Sequence, residues 1–501
     1  MTEMTLENST EFIPPAVSEC PLRYAAQRYP QGEALRCGAQ WFDFASLDSE
    51  VSQLSQWAAQ QGLQRGQRLL LISEDKGLIL RLLLVALRAG ACLVVVNPRA
   101  PVAQLQRQLH HCRPQALIDP DAALPAAPET MQGVPRWWPP ALAAVTTHTP
   151  GEPQSLPRIA VDPNLPLSGV FTSGSSGTPK LALHSYANHY HSASGSRALI
   201  ALGPGDRWAL TLPLYHIGGL AILFRCLQAG ACMQLPAAQQ GLDELLRSEP
   251  APTHLSAVTT QLLRLQCDDF PLADCELRTL LLGGSAFPPP LLAWLAEAPL
   301  QVLISYGLTE MSSQVMSGPA NTTGRLGQLL PGRELCIGAQ HELLVRGPTL
   351  FLGYLPAPEA SADQTEGELQ RPLDSDGWFH TRDCGQLDAE GGLYVFGRLD
   401  NQFISGGENI QPEEIEGVLL KYPGVAEAYV VPMEDAEYGQ RPLAFLRWEG
   451  EPANAALSQW LRSQLPAFKS PQQLWELPEA ARQGLKVNRA YLRQLAEAGN
   501  G

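Results

Sequence analysis

The stretch from Ser46 to Val96 constrains the fold of this chain most. A helix pattern with apolar Leu47, Val51, Leu54 and Trp57 leads to an apolar strand at Leu69 to Ile72; a second helix then runs up to Arg88, Gly90 stops it, and a strand follows at Cys92 to Val96. Strand alternating with helix implies a parallel sheet covered on both faces. The longest apolar run, Leu78 to Val96, contains Arg81, Arg88 and Gly90, which suits a buried helix followed by a strand and not a membrane span.

Strand-like runs return at Trp208 to Leu212, Thr279 to Leu282 and Val302 to Ser305, each ending in small or polar residues. Open α/β sheets place ligands at such strand ends. Between Asp119 and Asn164 the composition turns rich in Pro, Ala and Thr, which reads as an irregular connection inside a large domain, with a domain boundary as the alternative. Past Gly391-Gly392, a hairpin turn, the style changes. Pro412-Glu413-Glu414 opens a helix that Pro423-Gly424 stops, strands follow at Ala428 to Val431 and Leu443 to Trp448, and a helix covers Asn454 to Leu465. The expected fold class is α/β: a large N-terminal domain of layered sheets, residues 1–398, and a small mobile α+β domain, residues 399–501. At 501 residues the chain exceeds what one core organises.

A formal charge of −15 disfavours nucleic acid and anionic membrane as partners. The ten cysteines show no metal-ligand spacing, and Met1 to Pro15 has no basic, apolar leader pattern, so reduced thiols and a cytoplasmic location are expected.

Seven of the nine residues in Thr172-Ser173-Gly174-Ser175-Ser176-Gly177-Thr178-Pro179-Lys180 are glycine or short hydroxylated side chains. Glycines let backbone N–H groups approach oxygen anions, hydroxyls add rotatable donors, and Lys180 adds a point charge. A mobile linker has similar composition, but the apolar flanks Leu167 to Phe171 and Leu181 to Leu183 pin this loop between buried elements. It is not a Walker A loop, because only two residues separate Gly174 from Gly177 and Pro179 precedes the lysine.

Three further motifs follow: Tyr306-Gly307-Leu308-Thr309-Glu310; Gly377 to Asp383; and Gly397-Arg398-Leu399-Asp400-Asn401 running to Ser405-Gly406-Gly407-Glu408-Asn409-Ile410, with Lys486-Val487-Asn488-Arg489 near the end. In order and spacing the set resembles the adenylate-forming superfamily of acyl-CoA synthetases, luciferases and peptide-synthetase adenylation domains. The resemblance implies that ATP activates a carboxylic acid as an acyl-adenylate and that CoA then takes the acyl group. It implies Mg²⁺ on Glu310, an α-phosphate contact from Thr309, adenine stacking by Tyr306, ribose contacts from Asp383 and Arg398, and a bridging role for Lys486 in the first half-reaction. Asp400 matches the hinge, and Gly406 and Gly407 would line the CoA passage. The chain departs from the pattern at Arg382, where many members carry Gly, and at Leu485, inserted between Gly484 and Lys486. A core aromatic at Tyr306, a surface acid at Asp383 and a solvated lysine at 486 are the structural alternatives.

For the acid, Leu212 to Gly219 brings His216 near the expected acyl pocket, and Gly283-Gly284-Ser285 would form a flat wall that admits a ring. Arg225 lies in the apolar segment Leu220 to Leu227, where an uncompensated cation is costly. It meets either an internal Asp or Glu or a substrate anion. The run from Gly397 to Glu416 is similar to that of the 2-succinylbenzoate:CoA ligases of menaquinone biosynthesis, whose substrate keeps a spare carboxylate that Arg225 would hold. Ligation of another aromatic or medium-chain acid, and a catalytically silent acyl-AMP-binding protein, are the alternatives. A homodimer is compatible with all of these.

Overall fold

The structure is a computed structural model and describes residues 15–124, 134–140, 156–172, 179–283, 289–358, 368–405, 408–435, 437–483 and 486–499, with the backbone alone at 260, 289, 409, 483 and 486. Two large mixed sheets dominate the described residues. One runs in the order Gly353–Leu355, Lys180–Ser185, Pro166–Thr172, Cys92–Val96, Arg68–Ile72, Ala116–Ile118. Its far half is parallel and its near half antiparallel. Leu69 and Leu71 turn to one core while Leu70 and Ile72 turn to another, so this sheet is covered on both faces as the apolar runs require.

The first core lies between this sheet and the second. It holds the helices Phe44–Gln60, Lys76–Ala89 and Ile217–Ala229. Asp75 caps Lys76–Ala89 by accepting from the Leu78 N–H at 3.0 Å, and Gly90, at φ 66°, ends it in the left-handed geometry that costs glycine least. Each leucine fully buried along it contributes roughly 2 kcal/mol of apolar transfer.

The second sheet runs from Gln328–Leu329 through Ser313–Pro319, Gln301–Leu308, Thr279–Leu282, His254–Ala257, Arg207–Ala209 and Cys232–Leu235 to Glu33–Cys37 and Gln40–Asp43. The strand expected over Trp208 to Leu212 stops at Ala209. Beyond it the Lys76 ammonium donates to the carbonyls of Leu210 and Thr211 at 2.5 and 3.0 Å, and Pro213 has no N–H to extend a ladder. The run read as Val302 to Ser305 is longer, Gln301–Leu308, because Ser313–Pro319 folds back against it. Gly307 permits that return: a Cβ there would stand 2.2 Å from the Ser313 carbonyl oxygen. The Pro-rich segment after Asp119 connects strands of one sheet, Ala116–Ile118 and Pro166–Thr172.

A third, antiparallel sheet, Glu334–Ile337, Glu342–Arg346, Phe379–Leu387 and Leu393–Arg398, leads into the C-terminal module. There Val425–Asp435, Gly439–Trp448 and Gln473–Glu476 form a sheet, accompanied by the helices Pro412–Leu419, Asn454–Gln464 and Arg489–Ala498. Arg489 places one guanidinium nitrogen on each Glu416 oxygen at 2.7 Å, tying the last helix to Pro412–Leu419. No described helix is long and apolar enough to cross a membrane.

Candidate active site

The strand Gln301–Leu308 delivers two clusters of side chains. The first begins at Tyr306, whose hydroxyl donates to Asp383 Oδ2 at 2.7 Å, while Arg398 donates to Asp383 Oδ1 at 2.8 Å. Asp383 and Arg398 face each other in register across the strands Phe379–Leu387 and Leu393–Arg398. Burial pushes the Asp383 carboxyl up, against the pull of Arg398 and the Tyr306 hydroxyl. Tyr306 is itself only 9 % exposed, and burial together with Asp383 drives its phenol well up. The ring is thus a core aromatic as well as the hydroxyl donor to Asp383.

Arg398 also reaches Asp400 Oδ2 at 3.3 Å, and Arg382 donates to Asp400 Oδ1 at 2.9 Å. Burial would raise the Asp400 carboxyl, but the bonds from both arginines hold it below its usual value. Arg382 sits at φ 64°, where a Cβ costs about 1 kcal/mol that glycine avoids, which explains the physical sense of a glycine at this position. The half-exposed ion pair with Asp400 offsets that strain by up to roughly 1 kcal/mol. Arg382→Ala, which keeps the Cβ and loses the pair, is therefore expected to lower stability by about 1 kcal/mol more than Arg382→Gly in urea unfolding. Equal losses would show that the backbone there is unstrained.

The second cluster surrounds the tight turn Thr309–Met311. His184 Nε2 donates to the Thr309 carbonyl at 2.7 Å, and the Phe351 N–H donates to the Glu310 carbonyl, also at 2.7 Å. His184 is fully buried, and desolvation lowers it to about 4, so it is neutral with its proton on Nε2, and its Nδ1 has no partner among the described residues. Glu310 Oε1 accepts from the Tyr354 hydroxyl at 2.6 Å. Lys180 begins the strand after the glycine-rich loop, and its ammonium lies 5.0 Å from the Tyr354 ring centroid. Thr172 ends the preceding strand, and its hydroxyl donates to the Lys180 carbonyl at 3.4 Å. The loop expected to be pinned between buried elements therefore joins two antiparallel strands.

Of the residues expected at the acid, His216 stands at the start of the helix Ile217–Ala229, with its ring 4.8 Å from that of Tyr215. Gly283 follows the strand Thr279–Leu282, and a Cβ there would meet Ser305 Oγ at 3.1 Å. Arg225 is 4 % exposed and donates to Ser196 Oγ at 3.2 Å and Gln314 Oε1 at 2.7 Å, with its guanidinium over Trp208. Gln314 in turn stands opposite Gly307. Its partners are neutral, so the internal Asp or Glu weighed above is not found among the described residues. Burial lowers Arg225 to about 10.

Ser173, Gly174, Ser175, Ser176, Gly177, Thr178, Gly284, Gly406 and Gly407 lie outside the described residues. The Lys486 backbone begins the short strand Lys486–Val487, paired with Arg482–Gln483, and its side chain is outside the description. Sequence reasoning missed Tyr354 and His184. The only signal for either was the position of His184 four residues after Lys180 and of Tyr354 after a glycine; their roles are set by contacts between distant strands.

Residues 22–355 match the model of the AMP-binding enzyme family, and residues 414–484 match the AMP-binding enzyme C-terminal domain. The 2-succinylbenzoate--CoA ligase of Salmonella typhimurium is 34 % identical, covering 95 % of this chain and 98 % of the relative; that of Escherichia coli is 33 % identical at the same coverage. Among solved structures, an arginine-to-lysine variant of E. coli MenE with bound OSB-AMS superposes with a TM-score of 0.82 at 30 % identity, covering 97 % of this chain and all of that one. O-succinylbenzoate CoA synthetase (MenE) from Bacillus subtilis in complex with the acyl-adenylate intermediate OSB-AMP gives 0.77 at 26 % identity, covering 95 % and 98 %. With matches to both parts of the fold, in the order in which the sequence carries them, this chain belongs to the AMP-binding enzyme family.

Proposed function

We propose that the protein is an ATP-dependent acid–CoA ligase that converts 2-succinylbenzoate to its CoA thioester, the acid-activating step of menaquinone biosynthesis. The observation that carries the substrate is similarity over 95 % of the chain to ligases of that name. An ionised carboxylate is a poor electrophile, but it is already a nucleophile and needs no base. One of its oxygens attacks the α-phosphorus of ATP, the bond to pyrophosphate breaks, and an acyl-adenylate results. The CoA sulfur then attacks the acyl carbon and expels AMP.

Both steps depend on positioning and on charge placed where charge develops. Glu310 fits a magnesium site: Tyr354 occupies Oε1, and Oε2 has no protein partner among the described residues. Mg²⁺ typically takes one or two carboxylates, with phosphate oxygens and water completing its shell. When bound there it would neutralise phosphate charge. Lys180 and Thr309, with the glycine-rich loop Ser173 to Thr178, are assigned to the phosphates, Tyr306 to adenine, and Asp383 and Arg398 to the ribose side. Lys486 bridges the acid and the α-phosphate in the first step. Asp400 is assigned as the hinge between a large domain ending at 398 and a small one starting at 399, and Gly406 and Gly407 as part of the CoA passage. The ten free cysteines agree with a reducing cytoplasm.

His216, Gly283 and Gly284 are assigned to the aromatic acid, and Arg225 to its spare carboxylate. What supports Arg225 is a buried cation whose hydrogen-bond partners among the described residues are neutral, a state that an anion would relieve. In an ATP- and CoA-dependent assay over a panel of acids, 2-succinylbenzoate is expected to be preferred over benzoate, coumarate and octanoate; a flat profile overturns the substrate. Arg225→Ala is expected to raise the KM for 2-succinylbenzoate about tenfold, the worth of one hydrogen bond to a charged group. The KM for ATP should stay unchanged, and unaltered kinetics for both would remove Arg225 from the site.

A further inference from the structure

Among the described residues, Tyr354 is the one side chain that touches both the Lys180 ammonium and the Glu310 carboxylate, and neither the phosphate loop nor the motif ending at Glu310 contains it. We infer that Tyr354 is a positioning residue that sets the Glu310 carboxylate and the Lys180 ammonium in one arrangement for a magnesium-bound nucleotide. This rests on reading Glu310 as the magnesium carboxylate.

Four observations carry the inference. The hydroxyl donates to Glu310 Oε1 at 2.6 Å, which makes the two carboxylate oxygens inequivalent, with Oε2 unpartnered among the described residues. The ring face receives the Lys180 ammonium at 5.0 Å. The ring is held in place: it is 8 % exposed and packs edge-on against Phe351 at 4.7 Å, and Phe351 in turn donates its N–H to the Glu310 carbonyl. Finally, Tyr354 stands opposite Ala182 on the strand that starts at Lys180, and its backbone exchanges hydrogen bonds with Gln370 on its other side. The phenol is therefore anchored to the same sheet as the lysine, while its hydroxyl grips the carboxylate of the other sheet.

A glutamate without this donor would spread over several rotamers, and each metal-binding event would have to order it. Loss of a hydrogen-bond partner behind a metal ligand typically costs about 10- to 100-fold in metal affinity.

The test uses Tyr354→Phe, which keeps the ring, its packing and its contact with Lys180 but removes the donor. ATP binding is measured by calorimetry without acid or CoA, once with Mg²⁺ and once with a chelator. Affinity for ATP in chelator is expected to match wild type, whereas affinity with Mg²⁺ falls about tenfold. Glu310→Gln is measured alongside. If Glu310→Gln loses the magnesium-dependent affinity and Tyr354→Phe does not, the role of Tyr354 is overturned and the reading of Glu310 stands. If Glu310→Gln also keeps it, both fall. An equal loss with and without Mg²⁺ in Tyr354→Phe would mark the tyrosine as merely structural and overturn the inference.

Discussion

Lys486→Ala is expected to slow acyl-adenylate formation by at least about a hundredfold, while thioester formation from preformed acyl-adenylate stays within about twofold of wild type. In the first step, negative charge from the incoming carboxylate meets negative charge around the α-phosphorus, so a cation shared by both oxygens acts mainly in the transition state. In the second step that phosphate only leaves with AMP. The lysine is carried by a firmly built module. Asn488 caps the helix Arg489–Ala498 by accepting from the Tyr491 N–H at 3.1 Å, its own N–H donates to the Ala481 carbonyl at 2.8 Å, and the Arg489 fork grips Glu416. Replacing the side chain should therefore leave the module folded. Acid-dependent pyrophosphate release measures the first step, and CoA transfer from synthetic acyl-adenylate measures the second. Equal loss of both steps would refute a role confined to the first.

Asp383→Asn is expected to raise the KM for ATP about a hundredfold, corresponding to about 2.7 kcal/mol, the upper range for a hydrogen bond to a charged group. The carboxylate oxygens accept from Arg398 and Tyr306 at 2.8 and 2.7 Å, and the ribose hydroxyls proposed for Asp383 would take their remaining lone pairs. An asparagine has one oxygen and one NH₂, so it must set a donor against either the guanidinium or the phenol. The loss should also lower folding stability by roughly 1–3 kcal/mol, because a buried hydroxyl or a guanidinium loses its acceptor. Arg398 keeps Asp400 as a partner, which limits that cost. Initial rates at varied ATP and saturating acid and CoA measure the kinetic effect. A KM for ATP within about threefold of wild type would remove Asp383 from the nucleotide site.

Much of the architecture was legible because it depends on local signals. Gly90 stops its helix in left-handed geometry, and the strands Cys92–Val96 and Thr279–Leu282 lie where their apolar runs put them. The strand after Arg207 was read too long because its last carbonyls go to Lys76, a residue some 130 positions away in the chain. The same limit applies to the site. Tyr306, Asp383 and Arg398 could be singled out from motifs, but the bond between the Tyr306 hydroxyl and Asp383 was not foreseen. A side chain expected to act through its ring turned out to hold a carboxylate as well.

The sequence alone determined the chemical inventory: a loop rich in glycine and hydroxyls, the carboxylate of Glu310, a late lysine and a net negative charge. It could do so because those residue types carry their chemistry wherever they sit. Only the tertiary structure decided which of them meet. Tyr354 reaches Glu310, His184 reaches the Thr309 carbonyl, and Arg225 finds Ser196 and Gln314. Such pairings follow from how the elements pack, where a contact across 29 to 125 residues leaves no periodic or compositional trace in the chain.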